Sequence, residues 1–303
     1  MKLAFFNDFT LGVVKSDSIV DVSGAVSDVP HLSPQDLING VITNFSQYRA
    51  AIQNAADQGP GVALDSVRLR SPIPKPHNIV AMAVNYMEDG TRDEPAAINA
   101  FHKSPNAVIG NGDTVVLPDV PATIFEFEAE MALVISKHAS NVKAEDAFDY
   151  IFGYMNFLDG SARGVTPFYQ MKSRETFAPM GPFLVTPDEF ADPQNLQIQS
   201  WTNGELRQNF NTDDMAHQLP RVIEWVTSVH SLDAGDVIAT GTNHRGLIAI
   251  MGGDTLEIEI ETLGRLKIDV QDDLNRTWPY ETRLERMEKG LEGTAAQATG
   301  KYA

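Results

Sequence analysis

The 303-residue sequence contains no cysteine. This absence excludes disulfide bonds, thiolate nucleophiles, cysteine-ligated zinc and iron–sulfur clusters. No apolar stretch approaches the roughly 18 residues that indicate a membrane-spanning helix, and the first residues do not follow the pattern of a secretory signal peptide. We therefore expect a cytoplasmic protein that has no membrane partner.

Positive charge is also scarce, with 23 lysines and arginines against 41 acidic residues and a net charge of −18. A surface of this kind repels the phosphates of nucleic acids and anionic lipids, so we expect neither as a partner. An anionic small molecule would need a bound cation or a local basic pocket to approach it. The hydrophobic fraction of 43% is that of an ordinary globular protein.

The pattern of the chain divides it into three segments. Residues 1–69 predict a small α+β domain with short strands and two helices. A proline-rich linker opens the second segment, residues 70–271, in which short strand patterns dominate. Residues 272–303 predict a helical or extended tail that ends in a loosely held arm. Since strands far outnumber helices, the predicted fold class is α+β, mostly β, with a β-roll in the second segment.

The most informative pattern is a row of carboxylates in the predicted strand Ile124–Ile135, where Glu126, Glu128 and Glu130 alternate with apolar residues. Side chains of a strand alternate between its faces, so the three carboxylates share one face. On a solvent-facing edge their repulsion would cost little. On an inward face they would need a cation, and oxygen ligands select hard ions such as Mg²⁺, Mn²⁺ or Ca²⁺.

A second acidic element is Asp159, at the predicted end of a short apolar strand. One interpretation is that Asp159 joins the row of carboxylates. The other is that its side chain bonds the backbone of a turn.

Several short motifs, in this order along the chain, resemble those of the fumarylacetoacetate hydrolase family. They are Asn85-Tyr86, Phe101-His102-Lys103, Glu128-Ala129-Glu130 with Asp159, and the stretches 172–182, 203–208 and 234–242. The resemblance covers about residues 70–270. It implies a β-roll catalytic domain, often in a homodimer. It also implies Mg²⁺ or Mn²⁺, with Ca²⁺ as a substitute, on Glu128, Glu130 and Asp159.

The resemblance also implies a small anionic oxo-acid as substrate. Our leading prediction is hydrolysis of a C–C bond in an acylpyruvate or fumarylacetoacetate-like 2,4-dioxo acid, as in aromatic catabolism. The alternative on the same fold is decarboxylation or tautomerisation of an oxo-diacid. Two readings without catalysis remain: a β module stabilised by a structural cation, and an interaction protein with a solvated acidic edge.

Roles for individual residues follow from the same resemblance. Lys172 would contact the developing oxyanion or the substrate carboxylate, a role that a positive charge suits. The predicted substrate-binding residues are Tyr86, Lys103, Arg163, Gln208, Gly241 and Thr242. For Lys172 and Gln208 the alternative is a solvated surface side chain.

The sequence departs from the family pattern where a base would be expected. Many relatives carry a histidine soon after the Asn-Tyr pair and a glutamate three residues later, but here those positions hold Asp89 and Arg92. His244 is a further candidate acid or base, unless it is an exposed loop histidine. The acidic candidates near the Asn-Tyr pair are Glu88, Asp89, Asp93 and Glu94, whose pKa burial could raise. Our predicted catalytic set is Lys172, Asp89, Glu94 and His244, although the sequence does not choose among the acids.

Overall fold

Two β-sheets carry most of the regular structure in the computed structural model, which describes residues 1–303. The strands are β1 (Lys2–Phe6), β2 (Thr10–Lys15), β3 (Ser18–Asp21), β4 (Gly61–Ala63), β5 (Leu69–Arg70), β6 (Ile79–Met82), β7 (Ala100–Lys103), β8 (Val108–Ile109), β9 (Thr114–Val116), β10 (Ile124–Ile135), β11 (Ile151–Arg163), β12 (Ala178–Val185), β13 (Gln197–Thr202), β14 (Glu205–Asn211), β15 (Val237–Ala239), β16 (Thr255–Ile260) and β17 (Gly264–Gln271). The helices are α1 (Pro34–Thr43), α2 (Phe45–Gln58), α3 (Phe168–Lys172), α4 (Leu219–Val229) and α5 (Arg283–Glu288). The prediction of a strand-rich α+β fold is confirmed.

The larger sheet has 12 strands, in the order β4-β3-β2-β1-β12-β11-β10-β15-β6-β7, with β5 beside β1 and β8 beside β12. The smaller sheet has the order β14-β13-β16-β17-β9. Strand β1 pairs with β12, so strands from both sides of residue 69 share one sheet. The division into three domains stays a prediction.

Strands β10 and β11 form the centre of the larger sheet. The predicted strand Ile124–Ile135 is confirmed, and all of its residues are buried because the sheet is covered on both faces. Strand β11 is longer than we predicted, and Asp159 lies within it, so the turn-forming interpretation of Asp159 is wrong. In the antiparallel register Glu128 faces Asp159 directly.

The helices follow their sequence signals. Helix α1 begins after Ser33, whose hydroxyl accepts a hydrogen bond from the Asp36 N–H, with Pro34 in the first position. Helix α4 buries one apolar face. No helix combines the length and the apolar character needed to cross a membrane.

The C-terminal tail packs on the rest of the protein. Trp278 is buried and its indole N–H donates to the Thr123 carbonyl at 2.8 Å. Lys301 contacts both Asp119 oxygens, at 2.8 and 2.7 Å. The pair between Lys301 and Asp119 is about half exposed and therefore weak, so a loosely held arm at the very end of the chain stays a prediction.

Candidate active site

Three carboxylates converge on the inner face of β10 and β11. Oxygens of Glu128, Glu130 and Asp159 lie within 4.8 Å of one another. The three residues are 5%, 1% and 0% exposed, so the solvated acidic edge is wrong. The cross-strand register places Glu128 opposite Asp159, and Glu130 follows two residues along on the same face. Oxygen donors at this spacing could hold a hard divalent cation.

Two buried lysines contact these carboxylates. The Lys172 ammonium donates to Glu128 at 2.8 Å and to Asp159 at 2.5 Å. The Lys103 ammonium donates to the other Asp159 oxygen and, at 2.6 Å, to the Lys172 carbonyl. Their side chains are 3% and 0% exposed, so Lys172 is not a surface lysine. Both predicted residues therefore lie at the carboxylate cluster.

The electrostatic environments of Glu128 and Glu130 differ. Burial alone would raise the pKa of Glu128, but Lys172 and Arg163 outweigh burial and hold it well below its usual range. Burial, reinforced by the charges of Asp159 and Glu128, raises the pKa of Glu130 well above its usual range. The burial of Lys172 is likewise outweighed by Asp159 and Glu128, which raise its pKa and keep it charged.

A second layer of charges surrounds Glu126, which is fully buried. Arg163, the last residue of β11, donates to Glu126 at 2.9 Å and also contacts Glu128. Arg283, at the start of α5, binds both oxygens of Glu126. Glu126 thus binds two arginines, and one of them, Arg163, also contacts the convergent carboxylates.

The charges of this cluster balance in number but not in position. Its carboxylates are Glu126, Glu128, Glu130 and Asp159, and its cations are Lys103, Lys172, Arg163 and Arg283. Glu130 makes no ion pair, and its hydrogen-bond donor is the Gly241 N–H at 2.7 Å. The donor set therefore fits a divalent cation, which would supply positive charge beside Glu130.

A histidine–glutamate pair lies beside the three carboxylates. Nδ1 of His244 contacts the buried Glu88 at 2.6 Å, and the His244 backbone N–H donates to the other Glu88 oxygen at 2.8 Å. Nε2 of His244 faces inward, 3.8 Å from a Glu128 oxygen. Burial alone would raise the pKa of Glu88, but the bonds from His244 lower it overall. A carboxylate that orients an imidazole in this way is typical of a general base.

The segment that carries Glu88 is held in an unusual backbone conformation. Val84 and Glu88 have φ of 55° and 57°, in the left-handed region that costs a non-glycine residue on the order of 1–3 kcal/mol. The buried Asn85 side chain fixes the segment, since it donates to the Thr240 carbonyl at 2.9 Å and to the His217 carbonyl at 3.0 Å. The fold therefore maintains the position of Glu88 against local preference.

Three predicted substrate-binding residues support the loop between β15 and His244. The Gly241 N–H binds Glu130, and the Thr242 hydroxyl donates to the Ala129 carbonyl at 2.6 Å. Gln208 is buried and donates to the Thr242 hydroxyl at 2.9 Å, so it is not a surface residue. Direct contact of these three with a substrate stays a prediction.

The remaining predicted residues lie farther out or deeper in the core. Tyr86 is fully buried with its ring edge-on to Phe210, 5.0 Å between centroids. Asp89 is half exposed and accepts a hydrogen bond from Arg245 at 2.9 Å. Glu94 is exposed and makes no ion pair with the cluster. The geometry therefore favours Glu88 over Asp89 and Glu94 as the acidic partner of the base.

Arg283 is a residue of the site that the sequence did not predict. It binds Glu126 across 157 positions of the chain, and the polar tail around it offers no local signal for this contact. Glu88 was one of four acidic candidates, and its pairing with His244 spans 156 positions. The sequence indicated this pair only indirectly. The Asn85-Tyr86 motif lacks the expected histidine, and the stretch after Thr242 contains one, His244.

Comparisons with known proteins agree with this geometry. The sequence model described as "Fumarylacetoacetate (FAA) hydrolase C-terminal" matches residues 77–271. A maleylpyruvate hydrolase of Aquipseudomonas alcaligenes is 32% identical over 289 residues, covering 89% of this chain and 99% of that protein. An oxaloacetate tautomerase of Bacillus subtilis is 36% identical over 220 residues, covering 67% of this chain and 73% of that protein.

Among solved structures, the maleylpyruvate hydrolase of Sphingobium sp. SYK-6, in complex with manganese(II) and pyruvate, superimposes with a TM-score of 0.82. It is 35% identical, and the match covers 90% of this chain and 99% of that one. The motifs, the convergent carboxylates and these similarities lead to one assignment. The chain belongs to the fumarylacetoacetate hydrolase family.

Proposed function

We propose that this protein is a divalent-metal-dependent hydrolase that cleaves a C–C bond of an acylpyruvate-type 2,4-dioxo acid and releases pyruvate. Glu128, Glu130 and Asp159 would hold Mg²⁺ or Mn²⁺. Support comes from the oxygen-only donor set and from the hydrolase relatives, one of which contains manganese and pyruvate. A homodimer and a cytoplasmic location stay predictions.

The observation that carries the proposal is the position of His244. Hydrolysis needs a base for water, and the inward Nε2 of His244 lies 3.8 Å from a Glu128 oxygen while Nδ1 is held by Glu88. With its Nδ1–H bonded to a carboxylate, the imidazole presents a basic Nε2 towards the substrate position. The pair thus takes the role of the histidine and glutamate found elsewhere in many relatives.

A bound cation would supply Lewis-acid stabilisation of the enolate that leaves after cleavage. His244 would take a proton from water, and the hydroxide oxygen would form a bond to the C4 carbonyl carbon. The C3–C4 bond then breaks, its electron pair passes into the pyruvate enolate, and a proton on C3 completes pyruvate beside a carboxylate from the acyl part. Lys172, which stays charged, would stabilise the developing oxyanion.

The second candidate function is tautomerisation or decarboxylation of an oxo-diacid. The Bacillus subtilis relative favours it, since that protein is an oxaloacetate tautomerase. A histidine base can also move a proton between carbon and oxygen without water addition.

The test is turnover of maleylpyruvate, acetylpyruvate and oxaloacetate with Mg²⁺, with Mn²⁺ and with a chelator. We expect metal-dependent release of pyruvate from the 2,4-dioxo acids, measured with lactate dehydrogenase. If the 2,4-dioxo acids stay intact while the enol and keto forms of oxaloacetate interconvert faster, the tautomerase would replace the hydrolase.

Cation binding should release protons because of Glu130. At a pH between the ordinary glutamate pKa of 4.5 and the raised pKa of Glu130, the buried carboxyl group still carries a proton. The ion must displace this proton when it binds. Affinity should therefore rise with pH until the raised pKa is passed. By the same linkage, the metal-free protein should lose stability as pH rises through this window, because the folded state binds more protons than the unfolded state.

Calorimetric titration with Mn²⁺ at about pH 6 and about pH 8, in two buffers of different ionisation heat, measures the released protons. Affinity should be tighter at the higher pH. Heats that do not depend on the buffer at either pH would contradict a protonated Glu130.

A further inference from the structure

A cavity of about 390 Å³ opens beside the His244–Glu88 pair; we call it the outer cavity. Arg92, His244 and Arg245 contribute to its lining. Arg163, Arg283 and the apolar side chains of α5 complete it. The outer cavity therefore adjoins the carboxylate cluster through residues that already contact it.

Four arginines line the outer cavity. Two of them are ion-paired to a buried carboxylate, and the other two have guanidinium N–H groups without a protein partner. Arg163 and Arg283 bind Glu126. Arg245 reaches only Asp89, whose side chain is 48% exposed, and a pair of this kind is weak because water screens it. Arg92 lies 3.9 Å from Glu88, beyond hydrogen-bond distance. The Nε atoms of Arg92 and Arg245 are buried and have no hydrogen-bond partner.

The C-terminal tail fixes the shape of the outer cavity. The Arg283 N–H donates to the Leu247 carbonyl at 3.0 Å, and the Leu284 N–H donates to the Arg245 carbonyl at 2.8 Å. The start of α5 is thereby bonded to the loop that carries His244 and Arg245. These tail residues lie beyond residues 77–271, the stretch that the family model matches. Leu284 and Met287 give the wall an apolar surface.

Charge also indicates what the outer cavity receives. With its four carboxylates ionised, as they would be around a bound cation, the cluster carries equal numbers of positive and negative groups, so a divalent ion leaves an excess of two positive charges. The oxo-acid head of a substrate offsets one of them. A second anionic group would offset the other, and two arginines with free donors lie beside the site to bind it.

We propose that the outer cavity binds the second carboxylate of a dicarboxylic 2,4-dioxo acid, with Arg92 and Arg245 as its ligands and α5 as the apolar wall along the connecting carbons. This specificity site rests on the hydrolase function proposed above. Selectivity among substrates would then depend on the 243–247 loop and the C-terminal tail. Cleavage of the C–C bond would depend on the convergent carboxylates and His244.

The test compares Arg245→Met and Arg92→Met with the wild type on maleylpyruvate, which has two carboxylates, and acetylpyruvate, which has one. We expect kcat/KM for maleylpyruvate to fall about 10- to 100-fold in each variant, mainly through KM, as expected for loss of a charge-assisted contact. For acetylpyruvate kcat/KM should stay within about twofold. Arg221→Met, at an exposed position of α4 that does not line the outer cavity, removes the same charge and should leave kcat/KM unchanged for both substrates.

Equal losses on both substrates would overturn the specificity site and make the arginines positioning residues for His244. A wild type that turns over acetylpyruvate as well as maleylpyruvate would also overturn it while leaving the hydrolase function intact. If the wild type hydrolyses neither acid, the hydrolase function itself fails, and the specificity site fails with it.

Discussion

Replacing His244 with asparagine is expected to lower kcat for 2,4-dioxo-acid hydrolysis by about 10²- to 10⁴-fold, the usual contribution of a positioned general base. The amide can still approach Glu88, but it cannot take a proton from water. Cation affinity should change little, because Nε2 of His244 lies 3.8 Å from the nearest Glu128 oxygen and is not part of the donor set. Initial rates and Mn²⁺ titration of the purified variant measure both quantities.

Two further variants sharpen this experiment. Glu88→Gln keeps the side-chain size but removes the charge that orients His244, so we expect a smaller loss of kcat and a changed pH profile. His138→Asn is the matched control, since His138 is exposed and pairs only with Asp233. Unchanged kcat in His244→Asn would rule out the base that we propose.

Replacing Lys103 with methionine is expected to destabilise the metal-free protein by about 3–5 kcal/mol, the cost typical of removing one partner of a buried ion pair. The ammonium contacts Asp159, the Gly160 carbonyl and the Lys172 carbonyl, and its side chain is 0% exposed. Asp159 would keep only Lys172 as a cationic partner. Urea unfolding in the presence of a chelator measures the loss.

The same variant should bind a divalent cation at least as tightly as the wild type, because one competing positive charge has left Asp159. Saturating Mn²⁺ should therefore restore part of the lost stability. Lys143→Met, at a side chain that is 74% exposed, should change the unfolding free energy by less than about 0.5 kcal/mol. Loss of both stability and cation binding in Lys103→Met would instead mean that Lys103 builds the site.

Local periodicity was enough to align Glu126, Glu128 and Glu130, because side chains alternate along any strand. The same periodicity could not show whether that face of the strand is exposed to solvent or buried. That depends on partners such as Gly241 and Arg283, which lie 111 and 157 positions away from the carboxylates they bind. The place of Asp159 opposite Glu128 likewise depends on register, which is set by packing of the whole sheet.

The base that we propose could be predicted only in part, for a related reason. The sequence around Asn85-Tyr86 lacks the expected histidine and offers only acidic residues close by. In the structure His244, which lies in a distant loop, contacts Glu88. The histidine and the acid of the proposed pair therefore come from two separate segments of the chain. Only the fold brings these elements together, which is why the sequence alone left four acids open.

Strand β12 has a partner on each side, β1 and β11, and β11 carries Asp159. Cutting away the first segment of the chain would expose the backbone groups of Leu184 and Val185 in β12 that pair with β1, and such an edge invites association with other chains. A trimmed version that keeps every residue of the site should thus be prone to aggregation. The amino-terminal strands serve as a cap on the sheet that holds the carboxylates.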